Sequence, residues 1–133
     1  MAHPFRRARN LPRAKGKKPR PKTTGMNKGE AQYAAVLDEQ LKHGVIAGWW
    51  YELLSIRLAD NTHYRPDFVV LLDDGHIELH EVKPRKKGKD GKPDSFWAEE
   101  DAWLKAKLVA EHAPFPLFIV WPKRDGGWER LPV

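Results

Sequence analysis

Two strand-like segments joined by a tight-turn signal constrain the fold more than any other feature of this 133-residue sequence. The first segment spans residues 64–72, Asp74-Gly75 follows it, and the second segment spans residues 76–83. An Asp-Gly pair between two apolar, strand-forming segments is typical of a β-hairpin, so the two segments are predicted to pair as antiparallel strands. Pro84 ends the second strand, because proline cannot donate to a strand ladder.

The segments on either side of this hairpin predict two helices and two further strands. The expected elements are a helix over residues 27–43, a strand over 49–58, a helix over 96–112 and a short strand over 117–121. Asn27 and Glu30 have capping-box spacing at the start of the first helix, and Ser95 is expected to cap the second. The second helix is expected to bury Trp97, Leu104, Leu108 and Val109. This order predicts an α/β fold, with a central mixed sheet whose antiparallel hairpin is flanked by helices and whose last strand enters after a crossover.

Charge is distributed unevenly along the chain. Residues 1–25 hold nine Lys and Arg and no acidic residue, whereas residues 26–133 hold 15 basic and 18 acidic residues. The first segment has little to bury, so it is predicted to be a disordered basic arm in front of a single domain. Such arms usually bind nucleic acid by neutralising phosphates, and a solubilising leader is the alternative. The arm residues assigned to phosphate contacts are Arg6, Arg7, Arg9, Arg13, Lys17 and Lys18.

Several functional classes are excluded by composition. The chain has no cysteine, which excludes disulfide scaffolds, thiolate metal sites and cysteine nucleophiles. No apolar segment approaches the roughly 20 residues that cross a bilayer, and no apolar segment follows the basic N-terminus as in a secretory signal. A cytoplasmic protein that binds no membrane is therefore expected.

The chemistry-bearing residues lie at the two ends of the predicted hairpin that meet. Asp67 opens one strand and Glu81 closes the other, so an antiparallel return through the turn places them side by side. Glu81 and Lys83 are two residues apart and project from the same face. Clustered carboxylates suit a hard cation such as Mg²⁺, with the Val82 carbonyl as a further candidate ligand. A lysine beside the cation can stabilise developing negative charge or help deprotonate water, so the pattern indicates phosphodiester hydrolysis.

The Pro-Asp pair ending in Asp67, thirteen intervening residues and the Glu81-Val82-Lys83 triplet resemble the PD-(D/E)XK nuclease superfamily. The resemblance implies a restriction-endonuclease-like core, a DNA substrate and Mg²⁺ or Mn²⁺ as cofactor. It also implies that Glu30, on the preceding helix, is a further metal ligand and part of the catalytic set. Capping of the helix start is the alternative explanation of Glu30.

The resemblance covers about residues 27–122, and the pattern of residues 27–33 is most similar to small phage-encoded endonucleases, including junction-resolving ones. That narrower resemblance implies selectivity for branched DNA and a location in the bacterial host cytoplasm. Because many such enzymes cut two strands as dimers, it also implies a homodimer.

The remaining charged residues of the domain have open interpretations. Residues 85–95 are expected to form a flexible loop that tracks phosphate or is simply solvated. Its assigned cations are Arg85, Lys86, Lys87 and Lys89, and Arg65 is a further candidate beside the hairpin. His76 and His80 are interpreted as solvent or core residues rather than a metal pair, and Glu78 as a surface charge.

Two other classes of function remain open from sequence. One is a nuclease-like module that binds nucleic acid without cutting it. The other is a ribosomal-type or RNA-packaging protein in which the basic arm carries the whole function. Deleting residues 1–25 would remove all activity of such a protein, but would leave slow cutting by a nuclease.

Overall fold

The computed structural model describes residues 25–133, so the six assigned phosphate contacts of the basic arm lie outside the described residues. The helices are α1 (Lys28–Lys42) and α2 (Glu100–His112). The strands are β1 (Ile46–Tyr51), β2 (Ile56–Ala59), β3 (Thr62–Tyr64), β4 (Phe68–Leu72), β5 (Ile77–Val82), β6 (Arg85–Lys86), β7 (Ser95–Phe96), β8 (Leu117–Pro122) and β9 (Trp128–Pro132).

A five-stranded mixed sheet forms the centre of the described chain, in the order β1-β4-β5-β8-β9. Its neighbours are antiparallel except β5 and β8, which are parallel and are connected through α2. The predicted hairpin is confirmed, with Phe68 paired to His80 and Leu71 paired to Ile77. The predicted α/β fold with a central mixed sheet, an antiparallel hairpin and a crossover helix is therefore confirmed at this level.

Helix α1 covers one face of the sheet. The Asn27 side chain accepts the Glu30 amide at 2.8 Å, and the Glu30 side chain accepts the Asn27 amide at 2.9 Å, so the predicted capping box forms. Tyr33, Leu37 and Phe68 belong to the buried cluster beneath the helix. The predicted helix is confirmed to within one residue at each end.

The other face packs against α2 and the small β2–β3 hairpin. Val69 belongs to this second cluster whereas Phe68 belongs to the first, because alternate residues of a strand point to opposite faces. Tyr64, Leu79 and Val109 are buried in the same cluster. Polar groups that end β4 and β5 are thus enclosed between two apolar layers.

The prediction of one strand over residues 49–58 is wrong. The chain leaves the sheet at Glu52, which has a left-handed backbone conformation with φ of 49°, and β2 pairs with β3 in a separate hairpin. The strand predicted over residues 64–72 is likewise divided, because residues 65–67 belong to neither β3 nor β4. This separation places the β2–β3 hairpin against the second helix.

The second half of the chain differs from prediction in three respects. Ser95 does not cap α2, since it pairs with Lys86 in the β6–β7 hairpin and the helix begins at Glu100. Three of the four side chains predicted as buried are exposed, since Trp97 is 51% exposed, Leu104 58% and Leu108 37%, while Val109 is buried. Strand β9, which extends the sheet beyond β8, was not predicted.

Neither helix within residues 25–133 combines the length and the apolar character needed to cross a bilayer.

Candidate active site

The candidate site forms where strands β4 and β5 separate. The β4 ladder ends at Phe68, and the carbonyl of the preceding Asp67 accepts the Glu52 amide at 2.9 Å. Side chains then replace the missing ladder bonds on the β5 side. The Asp67 amide donates to Glu81 Oε1 at 3.0 Å, and the Val82 amide donates to Asp67 Oδ2 at 2.9 Å. Asp67 and Glu81 therefore lie side by side, as the hairpin predicted.

Lys83 lies beside Glu81, as their two-residue spacing predicted. The distance from Lys83 Nζ to Glu81 Oε2 is 3.7 Å, and the two side chains are 19% and 10% exposed. The ammonium is thus held close to the carboxylates in a largely enclosed position, where its charge is weakly screened.

Glu30 reaches the same place from helix α1. Its residue is 7% exposed, and its carboxylate is close enough to Asp67 to raise the pKa of that side chain. One oxygen, Oε1, is the acceptor of the capping box, and the other, Oε2, accepts the Tyr51 hydroxyl at 3.3 Å. The Glu30 side chain therefore caps the helix and lies near Asp67 at the same time. Sequence reasoning treated Tyr51 only as a strand residue, although it pairs with Phe68 next to Asp67.

Burial and neighbouring charge perturb the carboxyl groups of this cluster. Burial, then the Glu81 charge, raises the pKa of Asp67 well above its ordinary value; the bond from the Val82 amide opposes this, and Glu30 adds to the increase. Three carboxyl groups thus share a partly enclosed space with one ammonium group, Lys83. A perturbed carboxyl with charged neighbours is typical of functional sites.

Tyr64 is a further residue of the candidate site, and sequence reasoning did not identify it. The residue is 5% exposed, and its hydroxyl has no hydrogen-bond partner among residues 25–133. Burial, then the Glu81 carboxylate, raises the pKa of this phenol, so it stays protonated and remains a donor. The only sequence signal was its position three residues before Asp67.

The donor chemistry of the site fits a hard divalent cation, since Asp67, Glu81 and Glu30 supply carboxylate oxygens. The Val82 carbonyl is directed to the same side of β5 as the Val82 amide that bonds Asp67, because both groups of a strand residue face the same neighbour. Within residues 25–133, no three His, Asp or Glu side chains are gathered as ligands around a common point. In this arrangement, two of the carboxylate oxygens are engaged by backbone amides.

A second polar cluster lies on the opposite face of β5, and it corrects the interpretation of Glu78 as a surface charge. Glu78 is bonded to His80 Nε2 at 3.0 Å and to Arg130 at 3.2 Å, and its side chain is 13% exposed. The hydrogen bond from His80 is the main cause that lowers the pKa of Glu78. His80 is a core residue, whereas His76 is exposed and pairs with Asp74.

The predicted loop over residues 85–95 is confirmed for residues 87–94, whereas its two ends pair as the β6–β7 hairpin. Asp94 connects it to the β8–β9 turn: it accepts hydrogen bonds from the Gly88 amide at 2.9 Å and from Arg124 Nε at 2.9 Å, and it lies 3.5 Å from Arg85 Nη1. The remaining assigned cations of the domain are exposed: Arg65, Lys86, Lys87 and Lys89. No motif or spacing in the sequence connects Arg124 with this hairpin.

Comparisons with protein-family models, curated proteins and solved structures find no match to this chain.

Proposed function

We propose that this protein is a metal-dependent DNA endonuclease of the PD-(D/E)XK type, which hydrolyses phosphodiester bonds with Mg²⁺ or Mn²⁺. The observation that carries the proposal is the meeting of Asp67, Glu81 and Lys83 where β4 and β5 separate, with Glu30 arriving from α1. Three separate parts of the chain bring these groups together, which a chance occurrence of the short motifs would not require.

The topology supports a restriction-endonuclease-like core. The described chain runs helix, three antiparallel sheet strands, helix and parallel strand, with the β2–β3 hairpin inserted between the first two strands. The PD-(D/E)XK resemblance implies the same order of helices and strands around its motif residues. Strand β9 is an addition at the edge of the sheet.

Each residue has a distinct part in the proposed reaction. Asp67, Glu81, Glu30 and the Val82 carbonyl would hold the cation, which when bound supplies Lewis-acid activation of the phosphate and of water. Lys83 stabilises negative charge developing on the phosphate or takes a proton from the attacking water. Because burial and the Glu81 charge raise the pKa of Asp67, binding of a cation by this side chain would be coupled to release of a proton.

The basic groups around the site would hold the DNA backbone. Lys86, Lys87 and Lys89 project from the β6–β7 hairpin, and Arg65 is exposed two residues before Asp67. The basic arm adds further cations, so binding is expected to weaken steeply with salt. DNA as substrate, selectivity for branched DNA, action as a homodimer and a bacterial host cytoplasm are parts of the proposal that depend on the resemblance.

A cleavage assay on linear, flap and four-way-junction DNA tests the proposal, with Mg²⁺, Mn²⁺ or EDTA. Asp67→Asn and Lys83→Met are each expected to lower the cleavage rate by about 100-fold or more, because each removes a group that acts on the reacting atoms. Asp73→Asn is the control, since it makes the same charge change at an exposed turn position. Equal cleavage by Asp67→Asn and the wild type would refute the site assignment.

A nuclease-fold module that binds nucleic acid without cutting is the second candidate. The observation that favours it is the engagement of Asp67 and Glu81 by backbone amides, which leaves those oxygens satisfied without a cation. Calorimetry distinguishes the two candidates. DNA binding without Mg²⁺ or Mn²⁺ binding and without cleavage would support the module.

A further inference from the structure

Among the buried side-chain nitrogen and oxygen atoms of residues 25–133, only the Tyr64 hydroxyl has no hydrogen-bond partner. It is enclosed in the cluster formed with Leu79 and Val69, and no partner within residues 25–133 satisfies it. A buried hydroxyl without a partner costs about 1–3 kcal/mol, and phenylalanine would fill the same space without that cost. The hydroxyl therefore requires an explanation that apolar packing does not supply.

The surroundings of the hydroxyl point to the carboxylates. The Glu81 carboxylate lies near enough to raise the pKa of Tyr64 by its charge and by hydrogen-bonding contact, although no bond with full geometry forms, and Asp67 acts more weakly. Strand β3 holds the ring in place, because Tyr64 pairs with Ile56 in the hairpin that packs against α2. The donor is thus held by a strand outside the central sheet while its ring packs on β4 and β5.

Glu81 has capacity for this donor. Its Oε1 accepts the Asp67 amide, while its Oε2 is 3.7 Å from Lys83 Nζ, a distance too long for a hydrogen bond. A carboxylate oxygen has more than one acceptor position, so a donor can be added without displacing an existing bond.

We propose that Tyr64 is a positioning residue, whose hydroxyl donates a hydrogen bond to the Glu81 carboxylate when the site holds a divalent cation. The inference rests on the proposed function, because it assumes that these carboxylates take a cation. Outer hydrogen bonds of this kind fix the orientation of a ligating side chain, and their loss typically weakens metal binding by about 10- to 100-fold.

Calorimetric titration of the full chain with Mn²⁺ tests the inference, using wild type, Tyr64→Phe and the control Ile56→Val. Tyr64→Phe is expected to bind Mn²⁺ about 10- to 100-fold more weakly than the wild type. Ile56→Val removes a methylene from the same hairpin but no polar atom, so its affinity is expected to match the wild type. Thermal unfolding without metal should show Tyr64→Phe no less stable than the wild type, since it loses no existing hydrogen bond.

The outcomes separate the inference from the proposed function. Equal Mn²⁺ affinity of wild type and Tyr64→Phe would overturn the inference alone, whereas failure of the wild type to bind Mn²⁺ would overturn both. A second measurement depends on metal binding by the wild-type protein alone. The NMR signal of the Tyr64 phenol carbon in the wild type, assigned by its absence in Tyr64→Phe, should shift when Mg²⁺ is added, and an unchanged signal would count against the inference.

Discussion

The Tyr33 hydroxyl is hydrogen-bonded to Nδ1 of His80 over 2.6 Å, which joins helix α1 to the central strand β5. His80 Nε2 faces the Glu78 carboxylate and must donate to it, so Nδ1 of a neutral His80 is the acceptor and Tyr33 the donor. Tyr33 follows Glu30 by about one helical turn, and His80 precedes Glu81. This bond therefore connects the two elements that bring Glu30 and Glu81 together.

Tyr33→Phe is expected to lower the free energy of unfolding by about 1–3 kcal/mol, because it leaves a buried ring nitrogen of His80 without a partner. Urea unfolding of the metal-free protein measures the loss.

Tyr64→Phe is the matched comparison for that experiment. It deletes the same atom from the opposite face of the sheet, where the hydroxyl has no partner within residues 25–133. A loss of stability in Tyr64→Phe equal to that in Tyr33→Phe would contradict this account of the two hydroxyl groups.

The part of the site that could be predicted from sequence is the part fixed by local geometry. The tight turn sets the register of β4 and β5, so Asp67 must face Glu81, and the strand period places Lys83 on the face of Glu81. The capping box likewise fixes where α1 begins. Each of these relationships involves short sequence separations and one dominant conformation.

The remainder depends on tertiary contacts that leave little local signal. Glu52 adopts a left-handed conformation that nothing in its residue type demands, and this change of direction creates the separate hairpin that carries Tyr64. Ser95 has a strong capping residue type, yet pairing with Lys86 takes it into a strand. Glu78 alternates to the face opposite Glu81, as expected, but Arg130 of the unpredicted strand β9 covers it.

Glu30→Gln separates the capping role of Glu30 from its role in the site. Glutamine can accept the Asn27 amide as the third residue of a capping box, so the variant should unfold within about 0.5 kcal/mol of the wild type. Its cleavage rate should nevertheless fall by about 10-fold or more, because the charge beside Asp67 is lost.

Glu30→Ala provides the control for that comparison. It should lose both the cap, at about 1 kcal/mol, and the activity. Full cleavage by Glu30→Gln together with a less stable Glu30→Ala would assign Glu30 to capping alone.

The raised pKa of Asp67 predicts how stability depends on pH in the metal-free protein. A carboxyl with a raised pKa binds more protons in the folded state than in the unfolded state, so its contribution to stability decreases as the pH rises above about 4. Asp67→Asn should therefore be more stable than wild type at neutral pH, by about 1–3 kcal/mol, and the difference should vanish near pH ~4.

Urea unfolding across that pH range in EDTA measures the effect, and Asp73→Asn is the control for a change of charge at an exposed position. If the wild type is as stable as Asp67→Asn at neutral pH, other interactions must offset the cost of ionising the buried Asp67 carboxyl. Addition of Mg²⁺ should reverse the order of the two proteins, because only the wild type retains the full set of carboxylates to bind it.

Asp94→Asn tests whether the β6–β7 hairpin and the β8–β9 turn form one DNA-binding surface. Asparagine keeps an acceptor for the Gly88 amide but removes the charge that pairs with Arg85 and Arg124. Two guanidinium groups then become available to phosphates, so DNA affinity at low salt should increase and the salt dependence should steepen by about one phosphate contact per freed cation.

Fluorescence anisotropy over a salt series in EDTA measures both quantities without cleavage. Asp90→Asn makes the same charge change in the same hairpin, at an exposed residue whose φ of 56° asparagine tolerates. An equal change of slope in both variants would mean that net charge, rather than release of Arg85 and Arg124, accounts for the effect.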